Sequence, residues 1–353
     1  MRGLFCATRA AMLAPMRPAD LLVETPAGLY CPPGDFYIDP PRPAPRALVT
    51  HAHSDHARAG HGSVLATRQT LDIMALRLGQ SFCETRQVAA LGAPLRIGPV
   101  TVTFYPAGHV LGSAQILVES GGLRIVASGD YKRAADPTCE PFKPVTCDVF
   151  ITEATFGLPV FRHPDALVEI RRLLASVTLF PERAHLVGAY SLGKAQRLMA
   201  LLHAAGYARP IYMHGAIAKV SAYYAAEGAP LGELRETGLA ERSKLGGEII
   251  ICPPAALNDV WSRKFPEPVH CAASGWLRVR ARARQGGIEL PMVISDHADW
   301  DELTATIVET GCGEVWVTHG QEDALVHWAR GIGLAARPLR LAYAGDDVAE
   351  DAA

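Results

Sequence analysis

His51, His53, Asp55 and His56 stand within six consecutive positions of the 353-residue chain, in the run L-V-T-H-A-H-S-D-H, which leaves an apolar segment at Thr50. Imidazole nitrogens and carboxylate oxygens are the donors that hold divalent cations such as zinc. If the segment after Thr50 stays extended, alternate side chains share a face, which aims His51 and His53 at one point and shifts Asp55 and His56 to a neighbouring one. A single ion cannot easily use all four. The spacing therefore points to two ions, an arrangement that suits hydrolysis of a phosphodiester or an activated acyl bond. A lone histidine here would read as a solvated loop residue, but three histidines and an aspartate packed this tightly rarely arise for packing reasons.

The same residue types recur one to three positions beyond other short apolar runs. His109 follows P-V-T-V-T-F-Y-P-A-G and lies between Gly108 and Gly112, which would let the backbone bend close to a metal. Asp130 ends L-R-I-V-A-S-G-D, Glu153 ends V-F-I-T-E, Asp296 and His297 follow P-M-V-I-S, and His319 ends E-V-W-V-T-H. In layered α/β folds such strand ends and their loops lie along one edge and hold ligands, while the strands beneath supply rigidity. Taken singly, Asp130 reads equally as a turn cap, His297 as the cap of a helix beginning near Asp299, and His319 as a core histidine. Jointly they indicate one shared site. Asp39, just before Pro40 and Pro41, reads equally as a turn former or as part of that site.

Between these positions the chain reads as α/β. Helical periodicity over 67–77 puts Leu71, Met74, Ala75 and Leu78 on one face, and alternation marks P-V-T-V-T-F-Y-P as a strand. Helices and strands alternate over the middle third without ligand-like clusters, including a helix over 165–177 and an amphipathic one opened by Ser191 and Gly193. The ligand candidates resume only afterwards. We therefore expect an N-terminal extension at 1–20, a metal-bearing domain split into 21–157 and 290–345, an inserted α/β lobe at 158–289, and an acidic tail at 346–353. A start at Met12 or Met16 would account simply for the opening segment.

Hydrophobic residues make up 49% of the sequence, enough for a sizeable core, and the formal charge of −2 excludes a global basic field. Any polyanion must be held by local basic patches or by metal. The 8 cysteines show no CxxC pairing and read as reduced thiols of a cytoplasmic protein. No apolar run approaches the ~20 residues needed to span a bilayer.

H-A-H-S-D-H, A-G-H-V-L-G-S-A, S-G-D-Y-K-R, I-T-E-A-T-F-G, I-S-D-H-A-D-W and V-T-H-G-Q resemble the motifs of the metallo-β-lactamase superfamily, in its β-CASP nuclease branch, over about 21–343. G-L-Y-C-P-P-G-D-F, S-G-D-Y-K-R-A-A-D-P-T-C-E-P-F and F-P-E-R-A-H-L-V-G-A-Y-S-L-G-K-A-Q-R are similar in particular to the bacterial ligase-associated DNA exonucleases. The resemblance implies an αββα sandwich with an inserted β-CASP α/β lobe. It also implies two divalent ions, zinc or alternatively manganese, and functional association with an ATP-dependent DNA ligase and a helicase. One ion would be held by His51, His53 and His109 and the other by Asp55, His56 and His319, with Asp130 between them and Asp39 orienting the histidine loop. His297 would act as proton donor, oriented by Glu153, in a hydrolysis that leaves 5′-phosphate and 3′-hydroxyl ends.

The implied substrate is DNA, and RNA is the alternative, because in eukaryotic relatives a histidine at the position of His319 accompanies RNA. A small-molecule hydrolase of the same fold lacks the inserted lobe and the Glu153 and His297 pair, an oxygen-reducing di-iron protein carries glutamate in place of His53, and a silent scaffold would have lost ligands. Arg278, Arg280, Arg282 and Arg284 alternate and, if extended, would present one positive face to a phosphate backbone; on a helix they would spread around it. Lys132, Arg133, Lys194 and Arg197 are weaker basic candidates. Trp276 and Tyr190 read as base-stacking or core residues.

Overall fold

The computed structural model describes residues 16–341; the opening segment with Met12 and the acidic tail 346–353 lie outside the described residues. Three sheets organise the described chain. The first runs in the order Val23–Thr25, Gly28–Cys31, Phe36–Ile38, Arg46–Leu48, His61–Ala66, Cys83–Val88, antiparallel at its start and parallel from Phe36–Ile38 onward. The second runs in the order Ala335–Pro338, Glu314–Gly320, Val149–Ala154, Leu123–Ala127, Ala114–Ser120, Val100–Pro106, Leu95–Ile97. Its N-terminal strands form an antiparallel meander, and its last three strands by sequence join in parallel.

The two sheets bury their facing sides against each other, with Phe36, Ile38, Leu48 and Leu65 of one meeting Phe104, Ile116, Ile125 and Trp316 of the other. The back of the second sheet, at Val126, Phe150 and Val317, is covered by Leu303 and Ile307 of helix Trp300–Thr310 and by Leu325 and Ala329 of helix Glu322–Gly331. The back of the first, at Ala47 and Val64, is covered by Leu71 and Met74 of helix Arg68–Leu78. Each helix has the apolar stripe that burial on a sheet requires. Helix, sheet, sheet and helix layers thus follow one another as the αββα expectation had it. Helix Arg68–Leu78 forms where the periodicity over 67–77 placed it, capped by the Thr67 hydroxyl, which accepts the Thr70 N–H.

The third sheet is wholly parallel, in the order Leu234–Glu236, Ile211–Met213, Ile249–Cys252, His185–Gly188, Val269–Ala273, Leu290–Met292. Its central strands, His185–Gly188, Ile211–Met213 and Ile249–Cys252, are buried along their whole length, as in I-I-I-C, because both faces are covered. Ala166–Leu179, Lys194–Ala204 and Gly215–Ala226 pack on one face, and their core is continuous with helix Arg68–Leu78. Among the described residues no helix is long and apolar enough to cross a membrane.

Candidate metal centre

Strand Arg46–Leu48 is followed by a tight turn, in which the N–H groups of His56 and Ala57 both donate to the His53 carbonyl at 3.3 and 2.8 Å. The segment is therefore not extended, contrary to the sequence-based expectation. The turn repeats closely enough to place Asp55 beside His56, but it leaves His51 between the two groups. One cluster comprises His51, His53, His109 and Asp130, and a second comprises His51, Asp55 and His56. A third joins Asp130, Glu153 and His297. The six strand-end loops do converge, and His51, His53, Asp55, His56, His109, Asp130 and Glu153 are all at most 5% exposed.

Hydrogen bonds determine which ring nitrogens face the centre, because a carbonyl or carboxylate can only accept. His53 Nε2–H donates to the Leu192 carbonyl at 3.1 Å, and His109 Nδ1–H to the Asp296 carbonyl at 2.9 Å. His56 Nδ1–H donates to Asp39 Oδ2 at 2.8 Å. The Thr50 hydroxyl donates to the same Asp39 oxygen at 2.6 Å, so it accepts the His51 Nδ1–H at 3.1 Å. Asp39 Oδ1 also accepts the Thr50 N–H at 2.8 Å, which ties the start of the histidine loop to one buried carboxylate. A sequence turn former would not make these three bonds.

These bonds leave His51 Nε2, His53 Nδ1 and His109 Nε2 as lone pairs directed inward, and they turn His56 Nε2 toward Asp55 at 3.2 Å and Asp130 at 3.5 Å. His53 Nδ1 and His109 Nε2 lie 3.0 Å apart with neither proton between them. His51 Nε2 and Asp130 Oδ1 are buried without a hydrogen-bond partner. Such an arrangement costs free energy unless a cation compensates it. The nitrogen-rich donor set with a central carboxylate fits zinc, and the same ligands suit manganese.

The electrostatics divide the histidines. Burial, with the neighbouring imidazoles, pushes His51, His53 and His109 down from the ordinary histidine range. Burial also opposes charge on His56, yet Asp55, Asp130 and Asp39 outweigh it and raise this histidine. His297 behaves alike: burial opposes its charge, but Glu153 and Asp130 outweigh burial and raise this histidine. Its Nδ1–H donates to Glu153 Oε2 at 2.9 Å, while Glu153 Oε1 accepts the Tyr131 N–H at 2.8 Å. Glu153 is thus fully engaged, one oxygen on backbone and one on the ring.

His319 stacks on His56 with ring centroids 4.7 Å apart. It sits beside the centre but outside the three ligand clusters, in a left-handed backbone conformation (φ 52°) that it shares with Asp39 (φ 44°). Non-glycine residues adopt this conformation at a cost, typically where the surroundings fix them for function. The glycines flanking His109 serve a different purpose from close approach to metal. A Cβ on Gly108 (φ 73°) would lie 2.3 Å from the Lys132 carbonyl, and one on Gly112 would press on the Thr70 backbone.

The arginine quartet does not form the extended positive face. Arg278 ends the short helix Gly275–Arg278 and the other three lie on helix Arg280–Gln285, so their side chains spread around a helical axis. Local propensity explains this, since alanine and arginine are good helix formers. Arg282 covers the Trp276 ring at 4.4 Å, and Trp276 is buried against Phe156 and Phe161. Lys132, Lys194 and Arg197 are buried in ion pairs with Glu302, Asp296 and Asp136, and Arg133 pairs with Glu309. Tyr190 sets its ring edge-on to His53 at 5.0 Å. Leu192 and Asp296, which orient two histidines, were absent from the candidate ligands: they act through backbone carbonyls, and side-chain identity carries no signal for that.

No family model matches the chain. Against curated proteins it is similar to a probable DNA ligase of Opitutus terrae, 28% identical over 323 residues that cover 86% of this chain and 30% of that protein. It is similar to an endoribonuclease, YSH1, of Gibberella zeae, 37% identical over 35% of this chain and 16% of that one. A ribonuclease of Thermus thermophilus is 28% identical over half of this chain and 48% of its own. The chain spans less than a third of the length of the first curated relatives it matches. Among solved structures, a protein of unknown function from Enterococcus faecalis superposes with a TM-score of 0.57 over 85% of this chain and 80% of that one, at 13% identity, a likeness of fold. These similarities agree with the resemblance of the chain's motifs to the metallo-β-lactamase superfamily, in its β-CASP branch.

Proposed function

We propose that the chain is a metal-dependent DNA exonuclease that hydrolyses phosphodiester bonds to 5′-phosphate and 3′-hydroxyl ends. The observation that carries the hydrolytic reading is the buried set of inward lone pairs beside the Glu153 and His297 pair. In this reading His51, His53 and His109 hold one divalent ion, Asp55, His56 and His319 the other, and Asp130 lies between them. Bound ions, zinc or manganese, supply Lewis-acid stabilisation of charge developing on the phosphodiester oxygens. The chain's own residues do the rest. Asp39 fixes the rings of His56 and, through Thr50, His51. Glu153 fixes the His297 tautomer and favours its protonated form, so that the other ring nitrogen can deliver a proton to the departing 3′ oxygen.

We further propose that residues 21–157 and 290–345 form the metal-bearing domain and 158–289 an inserted lobe that closes over it. Residues from 158–289 that touch the centre, Tyr190 and Leu192, support this. A DNA substrate is supported by the relative named a probable DNA ligase, which matches this chain over most of its length. That likeness also supports an association with a DNA ligase, to which the motif resemblance adds ATP dependence, a helicase and a role in DNA repair. The seven described cysteines, all unpaired thiols, support a cytoplasmic setting. RNA is the second reading, favoured by the relatives named endoribonucleases and by a histidine at 319. The test is parallel digestion of matched DNA and RNA strands, labelled at either end, with zinc or manganese and an Asp130→Ala control. Stepwise DNA shortening lost in the control is expected; cleavage of RNA alone would replace the DNA reading.

A further inference from the structure

Two inward-facing histidines owe their orientation to carbonyls from distant segments. His53 is held by Leu192, in the loop between strand His185–Gly188 and helix Lys194–Ala204 of the third sheet. His109 is held by Asp296, in the loop before helix Trp300–Thr310. Lys194 joins these two loops: its ammonium lies 3.4 Å from Asp296 Oδ1, with both side chains at most 3% exposed. Between Leu192 and Lys194 there is no room for a side chain, since a Cβ on Gly193 (φ 88°) would lie 2.4 Å from Val110, the residue after His109.

We propose that Lys194 is a positioning residue for the metal centre: by pairing with Asp296 it clamps the Leu192 and Asp296 carbonyls in register and so sets the tautomers of His53 and His109. This rests on the reading of both histidines as metal ligands. Partners that orient ligating histidines typically contribute about 10- to 100-fold in metal affinity. The sign separates clamping from charge. Lys194 is a cation beside a cation site, so electrostatics alone makes its removal tighten metal binding. Loss of the clamp weakens it.

The test is zinc affinity of the full chain, by competition with a fluorescent chelator, for the wild type, Lys194→Met, Lys194→Arg and the double variant Lys194→Met with Asp296→Asn. A wild type that takes up no zinc or manganese defeats the metal-ligand reading itself, separately from the clamp. With the wild type loaded, the expected result is affinity about 10- to 100-fold weaker in Lys194→Met, largely restored in Lys194→Arg. Unchanged or tighter binding in a natively folded Lys194→Met overturns the proposal. Should the lone buried Asp296 charge prevent folding, the double variant carries no unpaired charge and is read by the same criteria. Nitrogen NMR of the metal-free protein gives a second readout: the His53 proton sits on Nε2 in the wild type and is shared between both nitrogens once the clamp is gone. An unaltered tautomer in the variant also overturns the proposal.

Discussion

Two pairs of histidines share this centre and are held in different ways. His56 and His297 donate to buried carboxylates, Asp39 and Glu153, whereas His53 and His109 donate to backbone carbonyls. Both carboxylate-held rings are raised, His56 chiefly by Asp55 and Asp130 with Asp39 adding to them and His297 chiefly by Glu153, while burial lowers both carbonyl-held rings. The carboxylates also sit at or beside strands of the sandwich. The carbonyls belong to loops, so their position depends on how the surrounding segments are packed. Orientation by charge uses carboxylates at sandwich strands, whereas orientation by carbonyl uses loops, of which Leu192's comes from the 158–289 segment.

The comparison breaks most sharply at His297. His297→Ala is expected to cut turnover about 10²- to 10⁴-fold with metal content unchanged, because it removes a proton donor and no ligand. Turnover against metal content by mass spectrometry checks it, and loss of metal would put His297 among the ligands. Asp39→Ala comes next: metal affinity and activity should fall about 10- to 100-fold, as His56 and Thr50 lose their acceptor together. Equal affinity there would erase the distinction between the two pairs.

On the carbonyl-held side, Gly108→Ala should destabilise the fold by more than about 1 kcal/mol, because the position is left-handed and faces the Lys132 carbonyl. A thermal unfolding midpoint measures this, and no shift would mean that the backbone around His109 yields more easily than the packing indicates. The smallest effect is expected from Arg278→Ala, Arg280→Ala and Arg284→Ala combined. Each lost phosphate contact lowers the salt slope of binding by about 0.7 to 0.9. Helical spread implies a slope change near one contact, and a change near three would restore the single-face reading.

The ends of the sandwich strands were legible because short apolar runs stop abruptly at His109, Asp130, Glu153, His297 and His319, and a buried strand end with an ionisable residue has few structural reasons to exist. The αββα layering was legible through the resemblance of those motifs. Two things were hidden for physical reasons. The turn after Thr50 depends on backbone bonds to the His53 carbonyl, and no residue type encodes them uniquely. Leu192 and Asp296 orient the histidines through their main chain, which every residue possesses, even though the Asp296 side chain also pairs with Lys194. Alternation of arginines at 278–284 left strand and helix open, because period two means a shared face only in a strand, and the helix that forms spreads them.

Strand Glu314–Gly320 lies between Val149–Ala154 and Ala335–Pro338, and its pairing with Val149–Ala154 joins residues more than 160 positions apart in sequence. During synthesis the first five strands of the second sheet emerge long before their sixth partner, and Val149–Ala154 remains an open edge meanwhile. The parallel lobe can fold in the interval, since all six of its strands have by then been made. His319 arrives on the strand that closes that edge. Closure of that edge and arrival of His319 beside the centre are therefore the same late event, which Ala335–Pro338 follows, and a nascent chain that stops short of Glu314 has neither.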